Sequence, residues 1–259
     1  MTLRGGFAAD RFATLFDLTN RSFDHMKLNR WMGLAVLAAS APFLSAADIT
    51  GKVTLKGTPP AEKDLPLDPG CGALHTGEKP KTRFYAVKDG GLADVLIYLK
   101  DGLTGKTFQV PAEGLLIDQK GCEYHPYVAA AQVGQKILVR NSDPVLHNVH
   151  PQPTAAGNQE KNQAQLPKSK DLEFVYTNPE NFLKFKCDVH PWMFSYVSLL
   201  PHPYYAVSGA DGTFTIKNVP KGEYTVEAVH RKAGKAEQKV KVGDGNATTE
   251  FALNVPAAQ

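Results

Sequence analysis

The chain reads as short apolar runs divided by turn residues, with no long stretch of helical period. "DITGKVTLKG" (48–57) alternates apolar and polar positions and ends at Gly57, with Pro59 and Pro60 beyond. A loop rich in Pro, Lys and Gly follows to about residue 82. "LADVLIYL" (92–99) is a run of the buried-strand type. Two or three short strands come next, punctuated by Gly114, Gly121 and Gly134, and "KILVRN" among them keeps a period of two. Pro151 to Lys170 is polar and reads as a loop; "DLEFVYT", "FLKFKC" and "FSYVSLL" read as strands. From His202 the texture changes. Asp211-Gly212 and Pro220-Lys221-Gly222 separate short β runs, and two last strands follow. Strands at intervals of about 8–12 residues predict an all-β chain of two sandwiches. The expected organisation is a leader (1–47), an N-terminal strand with a Pro-rich segment (48–91), a central sandwich (92–201) and a smaller C-terminal one (202–259).

The leader changes the picture. "MKLNR" from Met26 is a basic start, and "WMGLAVLAASAPFLSAA" after it is apolar and uncharged. Ser45 and Ala47 are small residues at the spacing of a signal-peptidase site, so cleavage after Ala46 or Ala47 and export to the periplasm or beyond are expected. The run contains Pro42 and lacks a basic stop, which argues against a stable membrane span. Residues 1–25 precede this pattern and are set aside. The net charge is +3, and the first 47 residues hold five basic side chains against three acidic ones. The remainder is close to neutral and offers no basic face for nucleic acid.

In an oxidising compartment thiols pair. The chain has three cysteines, Cys71, Cys122 and Cys187, so one is left over. Cys187 stands in "KFKCDVHPWM" with His190 and Met193 at intervals of three. Thiolate and thioether are soft donors, and with imidazole they suit copper. A His2Cys set with a weak Met is the donor set of a blue-copper site, and it needs a second histidine. "NSDPVLHNVH" supplies His147 and His150. In an extended segment these two face opposite ways, so one of them points at the metal, and His147 is the choice. The plainer alternative is a small buried cysteine with a histidine and a methionine packed nearby. Cys71 and Cys122 could form a Cys2His2 zinc set with His75 and His125. An oxidising compartment favours a disulfide instead, pinning the Pro-rich segment to the central sandwich. There is no Cys-x-x-Cys-His for covalent haem and no Ser/His/Asp set, so a carrier is expected rather than an enzyme.

"VGQKILVRNSDPVLHNVH" followed by "FKCDVHPWM" resembles the cupredoxin pattern: a strand ending in Asn, His-Asn after a turn, then Cys, His and Met in one loop. The resemblance implies a Greek-key sandwich in which His147, Cys187, His190 and Met193 hold one mononuclear copper ion. It also implies outer-sphere electron transfer with a redox partner protein. The loop departs from the pattern: two residues separate Cys187 from His190 and two separate His190 from Met193, which is short for small blue proteins. Asn148 is expected to tie the two ligand loops together and Trp192 to shield the site from water. "VSGADGTFTIKNVPKGEYTVEAVH" resembles the second half of a carboxypeptidase-regulatory-like, transthyretin-like (Ig-like) sandwich, and "ITGKVTLKG" resembles its first strand, which leaves open an N-terminal strand paired with the C-terminal sandwich and a copper domain inserted between them. The whole pattern resembles exported bacterial proteins labelled as methylamine-utilisation proteins. Copper storage or delivery is the competing function. A third is glycan or cell-surface binding through the C-terminal sandwich, with His202, Tyr204 and Tyr205 as candidate contacts.

Overall fold

A computed structural model describes residues 46–256. The leader therefore lies outside the described residues, except for Ala46 and Ala47, which already belong to the first strand. No described helix is long and apolar enough to cross a membrane. The first block of strands is β1 (Ala46–Lys56), β2 (Val87–Lys88), β3 (Gly91–Leu92) and β4 (Leu96–Asp101). The second is β5 (Leu115–Lys120), β6 (Glu123–His125), β7 (Val128–Gln132), β8 (Ile137–Asn141), β9 (His147–Gln152), β10 (Gln163–Gln165), β11 (Leu172–Phe174), β12 (Glu180–Lys186) and β13 (Phe194–Leu200). The third is β14 (Tyr205–Val207), β15 (Thr213–Pro220), β16 (Gly222–His230), β17 (Gly234–Val242) and β18 (Ala247–Asn254). The described chain is all-β apart from one short helix, α1 (Pro69–Gly72).

The first and third blocks build one sandwich together. β1 lies between β15, antiparallel to it, and β18, parallel to it. Its alternation puts Ile49 and Val53 inward at no exposure. Gly51 is needed where the strands cross, because a Cβ there would sit 1.7 Å from the carbonyl oxygen of Thr249. The opposing sheet runs β14-β4-β16-β17. Ile49, Val53, Ile97, Leu99, Phe214 and Val226 meet in the core between the sheets. The N-terminal strand thus completes the C-terminal sandwich, and the second block is inserted between the two.

One strand departs from the sequence pattern. The run 92–99 was expected in the central sandwich, but β4 pairs with β14 and β16 in the outer one. A continuous apolar run has no polar face to show which neighbour covers it, so its partner is not legible locally. Part of the polar stretch 151–170, expected as loop, is the edge strand β10, paired to β9.

The second block forms the central sandwich, with sheets β11-β8-β5-β6 and β10-β9-β12-β13-β7. Ile117, Tyr124, Val139, Phe174, Leu183 and Phe185 fill its core, and Cys187 and Met193 belong to the same cluster. The Arg231 guanidinium of the outer sandwich lies 3.2 Å from the centre of the Tyr196 ring and donates to the Tyr127 hydroxyl, joining the two sandwiches.

Candidate metal centre

The turn before β9 is set by Asn141. Its side chain accepts from the Asp143 amide and donates to the carbonyls of Val145 and Gln165. This closes "NSDPV" tightly and starts β9 at His147, which is fully buried. The second loop links β12 to β13. It is closed by Cys187 N donating to Met193 O at 3.0 Å and Met193 N donating to His190 O at 2.9 Å. Those two bonds fold seven residues back on themselves, so the Cys187 and His190 side chains fall side by side.

The two loops converge. His147 Nδ1 lies 3.0 Å from His190 Nδ1, and Cys187 Sγ lies 3.5 Å from the same His190 atom. The three residues present donor atoms within 4.8 Å of one another, and all three are buried. Nitrogen donors bind a metal at about 2.0–2.1 Å and thiolates at about 2.3 Å, so donors sharing one ion sit roughly 3–4 Å apart. The observed spacings match. Two nitrogen lone pairs at 3.0 Å repel unless a proton or a cation lies between them.

Both imidazoles are oriented from behind by carboxylates. His147 Nε2 donates to Asp143 Oδ2 at 2.9 Å. The same carboxylate accepts from the amides of Gly121 and Cys122. Burial alone would push Asp143 up, but the hydrogen bonds from His147 and those amides outweigh it and hold the group below the usual carboxylate range. An ionised Asp143 can only accept, so the His147 proton stays on Nε2 and Nδ1 is turned inward. His190 Nε2 faces Asp68 Oδ2 at 3.3 Å, a longer contact to a half-exposed carboxylate. For His147 burial works downward, yet Asp143 and Cys187 together raise it. For Cys187 burial works upward, yet His147 and the amide of Asn148 bring the thiol below its ordinary value. Burial and the neighbouring His147 push His190 down. The cluster therefore favours a thiolate and a bare His190 nitrogen, the forms a metal requires.

The remaining residues singled out in the sequence take these places. Met193 is 1% exposed and lies in the same core cluster as Cys187. Asn148 donates its amide to Cys187 Sγ at 3.4 Å and exchanges side-chain hydrogen bonds with Asp188, linking the two loops. Trp192 lies with its ring 5.3 Å from that of His190 and donates to Cys122 O. His150 points the other way, to Asp188 and Glu160. Cys71 and Cys122 are joined as a disulfide, with Cα atoms 5.7 Å apart. The zinc alternative finds no support: His75 and His125 donate to the carbonyls of Gly121 and Lys120. His202 is buried and donates to Leu99 O, while Tyr204 packs edge-on against Phe108.

Sequence reasoning missed Asp143, Asp68 and Tyr124. Asp143 stands four residues before His147 inside a turn motif, a signal that was available. Asp68 carried none, since its loop reaches His190 only through tertiary packing. Tyr124, buried in the core, donates its hydroxyl to Asn148 O at 3.1 Å and braces the start of β9.

No family model matches the chain, and no curated protein does. Among solved structures, a copper-containing nitrite reductase from Thermus scotoductus SA-01 is similar over 38% of this chain, at 17% identity and a TM-score of 0.30. The match spans 26% of the reductase, about a quarter of its length. A reduced amicyanin variant is similar over 35% of this chain and 86% of its own, at 20% identity and a TM-score of 0.31. A purple cupredoxin from Nitrosopumilus maritimus is similar over 33% of this chain and 98% of its own, at 21% identity and a TM-score of 0.28. All three likenesses are distant, so the chemistry of the site is read from its own residues.

Proposed function

We propose that this chain is an exported copper protein that carries single electrons. Its ion would be held by His147 Nδ1, His190 Nδ1 and Cys187 Sγ, with Met193 as a weak fourth donor. The observation that carries this reading is the convergence of the two Nδ1 atoms and the thiol sulfur in one buried cluster. When bound, copper supplies a one-electron couple between its +1 and +2 states. The chain's own part is to orient and enclose. Asp143 and Asp68 fix the two rings, Asn148 donates to the sulfur, and Trp192 covers the His190 ring. Such preset geometry supports electron transfer, because little has to move when the charge changes.

The burial of the donors supports a carrier over a delivery protein. His147 is 0%, Cys187 2% and His190 4% exposed. An electron can leave through such walls, whereas an ion handed to an acceptor needs an open path to it. Export is supported by the leader pattern together with a formed Cys71–Cys122 bond. Membership of the cupredoxins, as the sequence resemblance implies, belongs to the same proposal.

The test is to add Cu(II) to the purified chain and record its visible spectrum. Intense thiolate-to-copper charge transfer, lost in Cys187→Ser, is expected. A colourless chain that leaves copper unbound, or that binds only zinc, would overturn the reading.

A further inference from the structure

His190 has two sides. Its Nδ1 faces His147 and Cys187, and its Nε2 faces Asp68. Asp68 belongs to a flap, residues 66–79, that folds over the site. The flap has a narrow neck: Leu65 N donates to Pro80 O, Asp64 bridges to Lys81, Thr82 N donates to Lys63 O, and Lys63 N donates to the Thr82 hydroxyl. A compact loop with its ends pinned together is an Ω-loop. Just past the neck, Asp68 accepts from the Cys71 amide and caps α1. The flap is fastened to the central sandwich by the Cys71–Cys122 disulfide, by the Asp68–His190 contact and by His75 donating to Gly121 O.

The underside of this flap is rich in ligands. Cys71 Sγ, Cys122 Sγ and a ring nitrogen of His190 lie within 4.8 Å of one another, and all three residues are buried. Asp68 adds a carboxylate oxygen beside them. While the two sulfurs are bonded to each other they are poor donors. As thiolates, with imidazole, they form a soft set suited to Cu(I).

We propose that reducing the Cys71–Cys122 bond turns the underside of the flap into a second metal site, in which Cys71, Cys122 and His190 Nε2 bind Cu(I). A dithiol reductant breaks the bond by exchange. Two electrons and two protons pass to the two sulfurs, and the reductant leaves as its own disulfide. Binding Cu(I) then releases the two thiol protons to solvent. Both sulfurs are fully buried, so the flap has to open before a reductant can reach them. The site does not need Cys187, so it can be tested with that thiol removed.

The experiment uses the full chain carrying Cys187→Ser, as the disulfide and after reduction by a phosphine, which leaves as its oxide. Cu(I) is supplied in competition with a chromophoric Cu(I) chelator. The reduced form is expected to take one Cu(I) per chain from the chelator and the disulfide form none. Adding His190→Ala should weaken binding by roughly tenfold or more, and adding Cys71→Ser should abolish it. X-ray absorption of the reduced, Cu(I)-loaded Cys187→Ser chain should find two sulfur neighbours and one nitrogen. Equal uptake by both forms, or a copper with sulfur neighbours alone, would overturn the proposal even if the His147–Cys187–His190 reading stands. Failure of the wild-type spectrum would sink that reading and leave this one intact.

Discussion

Asp143 Oδ2 lies 2.9 Å from His147 Nε2, and this contact decides which nitrogen of His147 turns toward Cys187 and His190. The carboxylate is held in turn by two backbone amides, so the imidazole is aimed by a rigid anchor. Asp143→Asn is expected to keep the fold but lower copper affinity by roughly 10–100-fold, as measured by competition titration. Asp143→Ala also strands the Gly121 and Cys122 amides and should lower unfolding stability by about 1–3 kcal/mol in denaturant. Unchanged affinity in both variants would remove Asp143 from the site.

Met193 is tested by its electrochemistry. Met193→Leu keeps the buried volume and removes the sulfur. Losing a donor to Cu(II) should raise the reduction potential. A tenfold preferential loss of Cu(II) affinity corresponds to about 59 mV for one electron. Voltammetry of the loaded chain that finds no upward shift would show that Met193 is core packing alone.

His230 predicts a pH dependence in the outer sandwich. Its Nδ1 accepts from the amides of Lys232 and Ala233, so the neutral ring is the one that fits. Burial, then the neighbouring Arg231, pushes it down to about 4. An unfolded histidine titrates near 6.5. The contribution is therefore complete above about pH 6.5 and is lost as pH falls toward 4, because the unfolded chain takes up the proton first. The loss is on the order of 3 kcal/mol. Urea midpoints across this window should fall with pH, and the slope should flatten in His230→Gln.

Gly51 tests the crossing of β1 with its neighbours. An added methyl would meet Thr249 O at 1.7 Å and the Phe214 ring at 2.8 Å. Backbone cannot yield that far without parting β1 from β18. Gly51→Ala should cost at least about 1–3 kcal/mol in a denaturant titration, where an exposed strand glycine would gain.

The same crossing predicts that the C-terminal part does not fold alone. β1 fills the place between β15 and β18, so residues 202–259 expressed by themselves lack a central strand of one sheet, and without β4 they lack one of the other. The fragment should give narrow amide dispersion in NMR. A well-dispersed spectrum would show that the outer sandwich closes without its N-terminal strand.

Much of this molecule is local, and what is local was legible. Turn pairs such as Asp211-Gly212 mark strand ends because glycine takes backbone angles that other residues resist. Cys187, His190 and Met193 stand at intervals of three in one loop, a spacing visible in the sequence, and two backbone bonds within that loop then bring them together. The period of two in β9 sets His147 and His150 on opposite faces. Tertiary structure alone decided the rest. β4 pairs with β14 and β16 in the outer sandwich, and its apolar run carries no mark of those partners. Asp68 came to His190 only because a disulfide and a pinned neck fold the flap across the loop. A sequence fixes which chemistries lie within one loop or one strand face, whereas the packing of sheets decides which loops meet and which carboxylate stands behind each imidazole.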